Sequence, residues 1–90
     1  MFFLGQIDVM PNVVHVVKNE EMLSALERHA HCDWGELQIE ERDKNAKALV
    51  ENDYLLSMFH TARPITFWII TNRYRSVTTI LLSDPCKLHE

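Results

Sequence analysis

The alternation of hydrophobic and polar residues is clearest in the last third of the chain. Three runs there are rich in β-branched and aromatic residues, at 54–60, 65–72 and 76–83. Connections of four and three residues separate them, which is typical of β-hairpins. The pattern therefore predicts an antiparallel meander of three strands.

The register of this meander decides which side chains share a face. If His60 pairs with Ile65 and Thr71 with Ser76, residues two apart line the same face. One face then holds Leu56, Met58, Phe67, Ile69, Ile80 and Leu82. The opposite face holds Leu55, Phe59, Ile70, Val77 and Leu81 around a row of Ser57, Trp68 and Thr79. Both faces are apolar, so both need a cover.

Apolar residues at helical spacing precede the meander. Met22, Leu23, Leu26 and Ala30 predict a helix from about Glu20 to His31, with Asn19 as its N-cap. A second helix begins near Glu40 and ends at Asn52-Asp53, residues that tolerate the left-handed conformation. Its predicted inner face carries Ala46, Leu49 and Val50.

The N-terminal third is less regular. Residues 2–9 predict a short strand, and residues 13–17 fit either a second strand or a helical turn opened by Pro11. The predicted fold class is α+β, with two helices packed on an antiparallel β-meander of three C-terminal strands and one or two further N-terminal strands. One domain spans residues 1–90.

Composition narrows the class of protein. Ninety residues with 47% hydrophobic content suit one domain with a modest core. No apolar run reaches the roughly 18 residues of a membrane span, and the N-terminus lacks a signal-peptide pattern. We expect a cytoplasmic protein that does not contact a membrane, with Cys32 and Cys86 as free thiols.

The net charge of −4 argues against a generic nucleic-acid binder. Residues 20–53 hold ten acidic and four basic side chains, a net −6, whereas residues 54–90 hold two acidic and four basic, a net +2. This asymmetry is typical of solvated helix faces beside a sheet.

Candidate metal ligands cluster at the end of the first predicted helix. His29, His31, Cys32 and Asp33 lie there, and His60, Cys86 and His89 lie elsewhere. Their spacing does not match a C-x-x-C or H-x-x-x-H pair, so the sequence predicts no metal site. Phosphate-binding glycine loops and dinucleotide fingerprints are absent as well, and we expect no cofactor.

Basic residues cluster only at the second hairpin turn. Arg63 falls in the first turn, at the opposite end of the sheet. Arg73, Tyr74 and Arg75 remain together, where they either stack on a nucleic-acid base or simply form a turn.

A ribonuclease-like interpretation is also open. It takes His29 as a general base, Arg75 as a phosphate clamp, and Ser76 or Thr78 as a hydrogen-bond donor. It requires these residues to converge in space, since histidines at helix ends and threonines in strands are more often structural.

From His29 onward the sequence resembles a family of small bacterial plasmid- or mobile-element-related proteins, some described as "type I restriction endonuclease subunit M". The motifs that carry the resemblance are His29, Asp33-Trp34-Gly35, Asn45, Leu55-Leu56-Ser57, 67–71, Arg75-Ser76 and 78–82. The chain departs from the family at Cys32 and Arg63-Pro64, where glycine is usual, and at 72–74, which are usually acidic. The resemblance implies a mobile-element context, and 90 residues are too few for a methyltransferase domain.

We therefore expect an accessory or regulatory protein that acts by protein–protein interaction, as a homodimer that also binds an unidentified protein, and that is more plausibly not an enzyme. The expected binding residues are Asp33, Trp34, Trp68, Arg73, Tyr74 and Arg75. The alternative is a nucleic-acid-binding or RNA-cleaving module of the mobile-element toxin type, which would use His29, Arg75, Ser76 and Thr78.

Overall fold

The computed structural model describes residues 1–63 and 65–82 and confirms the α+β class. The elements in chain order are β1 (Gln6–Val9), α1 (Pro11–Val14), α2 (Asn19–Ala30), α3 (Ile39–Glu51), β2 (Leu55–His60), β3 (Thr66–Thr71) and β4 (Val77–Leu82). They form a four-stranded sheet of order β1-β4-β3-β2. The β2-β3-β4 meander is antiparallel, and β1 adds to β4 in parallel.

The N-terminal region contributes one strand and one helical turn. Residues 13–17, which fitted a strand or a helix, belong to α1 and the turn that follows it, with Pro11 at the start of the helix. Proline suits this position because its fixed φ is helical and its missing N–H is not needed there. Val13 and Val17, four residues apart, are buried in the core.

The helix boundaries match the prediction closely, but two inner faces do not. Asn19 is the first residue of α2 rather than its cap. Leu23 is 66% exposed, while Ala25 and His29 are buried in its place. In α3, Asn45 and Ala48 face inward, and Ala46, Leu49 and Val50 lie on the exposed side.

The orientation of α3 follows from its packing against β2, an edge strand of the sheet. At this edge, an amide side chain can bond the free strand backbone, and a small residue allows close approach. Asn52 ends α3 with a φ of 56°, as predicted.

The predicted strand register was wrong by one residue between β2 and β3 and by two between β3 and β4. The structure pairs His60 with Thr66 and Thr71 with Thr78. A one-residue slip turns a whole strand over, whereas a two-residue slip keeps each side chain on its face. The faces of β3 and β4 were therefore predicted correctly, and those of β2 were exchanged.

One face of the sheet forms the hydrophobic core with α1 and α2. The buried cluster contains Val13, Val17, Met22, Ala25, Phe59, Phe67, Ile69 and Ile80. The opposite face, hereafter the open face, has Leu56, Met58, Trp68, Ile70, Val77, Thr79 and Leu81 at its centre. Gln6 and Asp8 of β1, which pair with Val77 and Thr79, lie on the same face, as do His60 and Thr66. The seven central side chains are only partly buried. Within the described residues, no helix is long and apolar enough to span a membrane.

Candidate functional site

A chain of buried polar side chains crosses the interior from α2 to the N-terminal segment. His29 is 0% exposed and contacts two strands: its Nδ1 bonds Ser57 Oγ, and its Nε2 lies 2.9 Å from Thr71 Oγ1. Thr71 Oγ1 lies 2.7 Å from Thr78 Oγ1, which donates to the carbonyl of Leu4 at 2.7 Å. We call these five residues the His29 network.

The carbonyl at the end of the His29 network fixes the direction of every hydrogen bond. Leu4 O can only accept, so the Thr78 hydroxyl donates to it and its oxygen accepts from the Thr71 hydroxyl. Thr71 oxygen then accepts from His29 Nε2–H, which leaves Nδ1 to accept from Ser57. A neutral His29 is therefore protonated on Nε2.

The surroundings of His29 keep it uncharged. Burial, and to a lesser extent the nearby positive charge of Arg75, lowers its pKa from 6.5 to about 4. The ring centroids of Phe2 and Trp34 lie 5.1 and 5.6 Å away, both edge-on to the imidazole. The ring therefore lies between two aromatic edges in a buried environment that disfavours the charged imidazolium.

Arg75 lies near His29, on the far side of Phe2. Its guanidinium carbon is 5.8 Å from the Phe2 ring centroid, so the two residues do converge. The guanidinium donates to the carbonyls of Asp53 at 2.6 Å, Asn72 at 2.9 Å and Ala48 at 3.3 Å. Arg75 therefore caps the carbonyl end of α3, where a cation is favourable.

The four residues of the ribonuclease-like interpretation occupy different environments. His29 and Thr78 are both fully buried within the His29 network, and Arg75 is bound to three backbone carbonyls. Ser76 lies on the exposed turn, where its Oγ accepts from Asn72 Nδ2 at 2.8 Å. The geometry places no general base beside a free phosphate clamp.

The Asp33-Trp34 corner closes one edge of the sheet. The Met58 N–H donates to Trp34 O at 3.1 Å, and Glu36 N–H donates to Met58 O at 2.7 Å. Between them, Gly35 has a φ of 71°, and a Cβ there would lie 2.1 Å from Met58 O. Only glycine allows this approach, which explains the Trp-Gly sequence.

Asp33 holds this corner in place. Its carboxylate accepts two hydrogen bonds from Arg28, at 2.8 and 3.3 Å, and one from Gly35 N–H at 3.1 Å. These bonds, that to Arg28 foremost, lower the pKa of Asp33 below its ordinary value. The preceding residue, Cys32, has a φ of 67°, which explains why glycine suits that position.

The other predicted binding residues lie apart from one another. Tyr74 is 77% exposed on the β3–β4 turn, with the Arg73 guanidinium 5.7 Å from its ring centroid, whereas Arg75 turns inward. Trp68 lies in the middle of β3 on the open face. The predicted cationic and aromatic cluster is thus reduced to Arg73 and Tyr74.

The candidate metal ligands do not assemble within the described part of the chain, where no three His, Cys, Asp or Glu side chains come together. His31 Nδ1 bonds the Glu27 carbonyl at 2.8 Å. Cys32 forms no disulfide among the described residues. Cys86 and His89 lie outside them, as does Pro64 of the first hairpin.

Sequence reasoning missed Ser57, Thr71 and Asn45 as functional partners. Ser57 and Thr71 are isolated polar residues within apolar strands. Because buried polar groups need hydrogen-bond partners, such hydroxyls indicate a buried polar side chain nearby, here His29. The incorrect β2 register hid this signal, because it placed Ser57 on the opposite face from Phe67, Ile69 and hence Thr71.

No family model, curated protein or solved structure matches this chain. The resemblance to plasmid-related proteins therefore stays a prediction. The motif residues that carry it do gather in one place, since His29, Ser57, Thr71 and Thr78 form the His29 network.

Proposed function

We propose that this protein acts by binding another protein through its open face, as a small accessory or regulatory module rather than as an enzyme. The observation that carries the proposal is the open face itself. It presents partly exposed apolar side chains from three strands, while α1 and α2 are packed on the opposite face. Contiguous apolar surface of this kind usually marks an interaction site.

The β2 edge of the sheet is closed to strand addition by a partner. Asn45 bonds both backbone groups of Leu56, and the segment 34–36 bonds both groups of Met58. The outward hydrogen-bonding groups of β2 are thereby used at both positions, so a partner cannot pair with them. The open face, in contrast, offers side chains.

Trp68 is the expected centre of the binding surface. It lies on β3, one of the two inner strands, and its register partners Met58 and Leu81 flank it on the open face. A tryptophan surrounded by aliphatic side chains is the usual composition of an interface hot spot. Asp33, also predicted to bind a partner, bonds Arg28.

The RNA-cleaving alternative has weaker support. Catalysis would require His29 to reach a substrate, and this ring has both nitrogens bonded within the interior. The exposed pair Arg73 and Tyr74 supports at most contact with a nucleic acid, because one cation supplies little affinity for phosphates.

Site-specific photo-cross-linking tests the proposal directly. A photoreactive amino acid replaces Met58, on the open face, and in a matched control replaces Leu23, which is 66% exposed on the far side of α2. After illumination in cells of the native host, we expect a cross-linked protein adduct from position 58 and none from position 23. A chain that stays uncross-linked at position 58 would contradict the proposal.

A further inference from the structure

We infer that the outer edge of β1 binds an extended, basic segment of another protein, which adds to the sheet as an additional strand. This inference does not rest on the proposed function, because the recognition groups are backbone atoms of β1 and not the central side chains of the open face. Three properties of the edge support it: the direction of its backbone groups, the charge of Asp8 and the exposed side chain of Ile7.

The backbone groups of β1 alternate between two directions. The N–H groups of Gln6 and Met10 donate to carbonyls on and beside β4, at 2.8 and 3.0 Å, so every second residue from Gln6 bonds β4. The N–H and C=O groups of Ile7 and Val9 therefore point away from the sheet, and no described residue bonds them. The ligand that matches these alternating donors and acceptors is an extended polypeptide backbone.

The two edges of the sheet differ in this respect. At the β2 edge, Asn45 bonds both backbone groups of Leu56, and the segment 34–36 bonds both groups of Met58. Within the part of the chain that the structure describes, nothing comparable lies along β1, and the helix α1 that follows it packs on β4. Because proteins normally close or disrupt their strand edges, an open edge opposite a closed one indicates a place for strand addition.

The charge of Asp8 selects the occupant of this edge. Asp8 lies between Ile7 and Val9, and its carboxylate accepts from Gln6 Nε2 at 3.1 Å but forms no ion pair with a described residue. A second copy that paired antiparallel through both Ile7 and Val9 would set Asp8 directly opposite its own counterpart, with the Cα atoms about 4.5 Å apart. Like charges in that position are destabilising, whereas a lysine or arginine there is favourable. The edge therefore disfavours a second copy and favours a basic segment.

The side chain of Ile7 supplies an apolar contact on the core side of the same edge. Its register partner Thr78 is fully buried, whereas Ile7 itself is 39% exposed at the margin of the core. An apolar residue of the added strand would cover Ile7 and extend the core by one strand. Since side chains alternate along a strand, the expected segment alternates basic residues beside Asp8 with apolar residues beside Ile7.

Hydrogen exchange measured by NMR tests the inference with a designed peptide. The probe is a peptide of roughly seven residues in which valine and lysine alternate, titrated into the intact chain. With about nine-tenths of the protein bound, the amides of Ile7 and Val9 should exchange about tenfold more slowly, because only the unbound tenth exchanges. The amide of Asp8, which faces β4, should change little.

Two control peptides separate strand addition from simple charge attraction. A backbone N-methylated version of the probe keeps the positive charges but cannot donate hydrogen bonds to β1. A version with glutamate in place of lysine keeps the backbone but reverses the charge. We expect neither to slow the exchange of Ile7 and Val9. Protection by the N-methylated peptide would overturn the backbone pairing, and equal protection by the glutamate peptide would overturn the basic segment.

A charge exchange in the protein tests the role of Asp8. Asp8→Lys should transfer the protection of Ile7 and Val9 from the lysine peptide to the glutamate peptide. Asp43→Lys, at an exposed position of α3, makes the same change in net charge and should keep the preference for lysine. An Asp8→Lys protein that still prefers the lysine peptide would contradict the inference. The control peptides decide the matter with the wild-type chain alone if this variant does not fold.

Exchange in the protein without peptide identifies any other occupant of the edge. Fast exchange of Ile7 and Val9 supports the inference. Slow exchange would overturn it, and sedimentation equilibrium then names the occupant. A mass of 10.6 kDa would show that the chain covers its own edge, and twice that mass would show that a second copy does.

Discussion

At the residue scale, buried hydroxyl groups determine the state of His29. Each hydrogen bond of the His29 network has one allowed direction, because the chain ends on a backbone carbonyl. Removal of any member leaves its neighbours without a partner in the interior, which costs more than the bond itself contributes. The network therefore connects α2, three strands and the N-terminal segment in a single arrangement.

Ser57→Ala tests this dependence. The substitution removes the Ser57 hydroxyl that donates to His29 Nδ1, and we expect a loss of about 1 to 3 kcal/mol in the free energy of unfolding. Urea denaturation measures it. Ser24→Ala, at an exposed position of α2, is the control and should change stability by less than about 0.5 kcal/mol. Equal effects of the two substitutions would show that the hydroxyl is not needed.

Acid destabilisation tests the neutral state of His29. The unfolded chain binds a proton near pH 6.5, whereas the folded protein binds it only near the lowered pKa of about 4. Stability should therefore fall by about 3 kcal/mol as the pH drops from 6.5 to 4, with no further loss from this group below pH 4. The measurement is urea denaturation across that range, with an NMR titration of the His29 ring.

The control for this titration is His29→Gln, which cannot bind a proton at this position and should lose the fall in stability between pH 6.5 and 4. A His29 ring that titrates near pH 6.5 in the folded protein would contradict the assignment.

At the element scale, α3 is positioned by the edge of the sheet rather than by its own apolar residues. The Asn45 side chain makes the two hydrogen bonds that a neighbouring strand would make with β2. Its amide N–H donates to Leu56 O at 2.7 Å, and its oxygen accepts from Leu56 N–H at 3.1 Å. The apolar residues Leu49 and Val50 face outward as a result. Helical periodicity alone favoured the opposite orientation.

Replacing Asn45 tests this role. Asn45→Ala leaves both backbone groups of Leu56 without partners, and we expect a loss of about 2 kcal/mol together with faster hydrogen exchange of the Leu56 amide. Asn45→Asp keeps the acceptor and should preserve protection of that amide better than alanine does. Asn19→Ala, at the exposed first residue of α2, is the matched control and should leave Leu56 exchange unchanged.

At the scale of the whole molecule, the polar chemistry and the proposed binding surface lie on opposite faces of one sheet. The His29 network stabilises the side covered by α1 and α2, while the open face is apolar. Trp34 contributes to both, since its ring contacts His29 and its carbonyl bonds the backbone of Met58.

The sequence by itself determined the types of α2, α3 and the four strands, most boundaries, and the apolar residues at the centre of both sheet faces, but left residues 13–17 open between strand and helix. These follow from local propensity and periodicity, which act over a few neighbouring residues. The tertiary structure decided the register of β2, the orientation of α3, the parallel pairing of β1 and the partners of His29. Each depends on contacts between residues distant in the chain, and a single polar pairing, such as Asn45 with Leu56, overrides the local pattern.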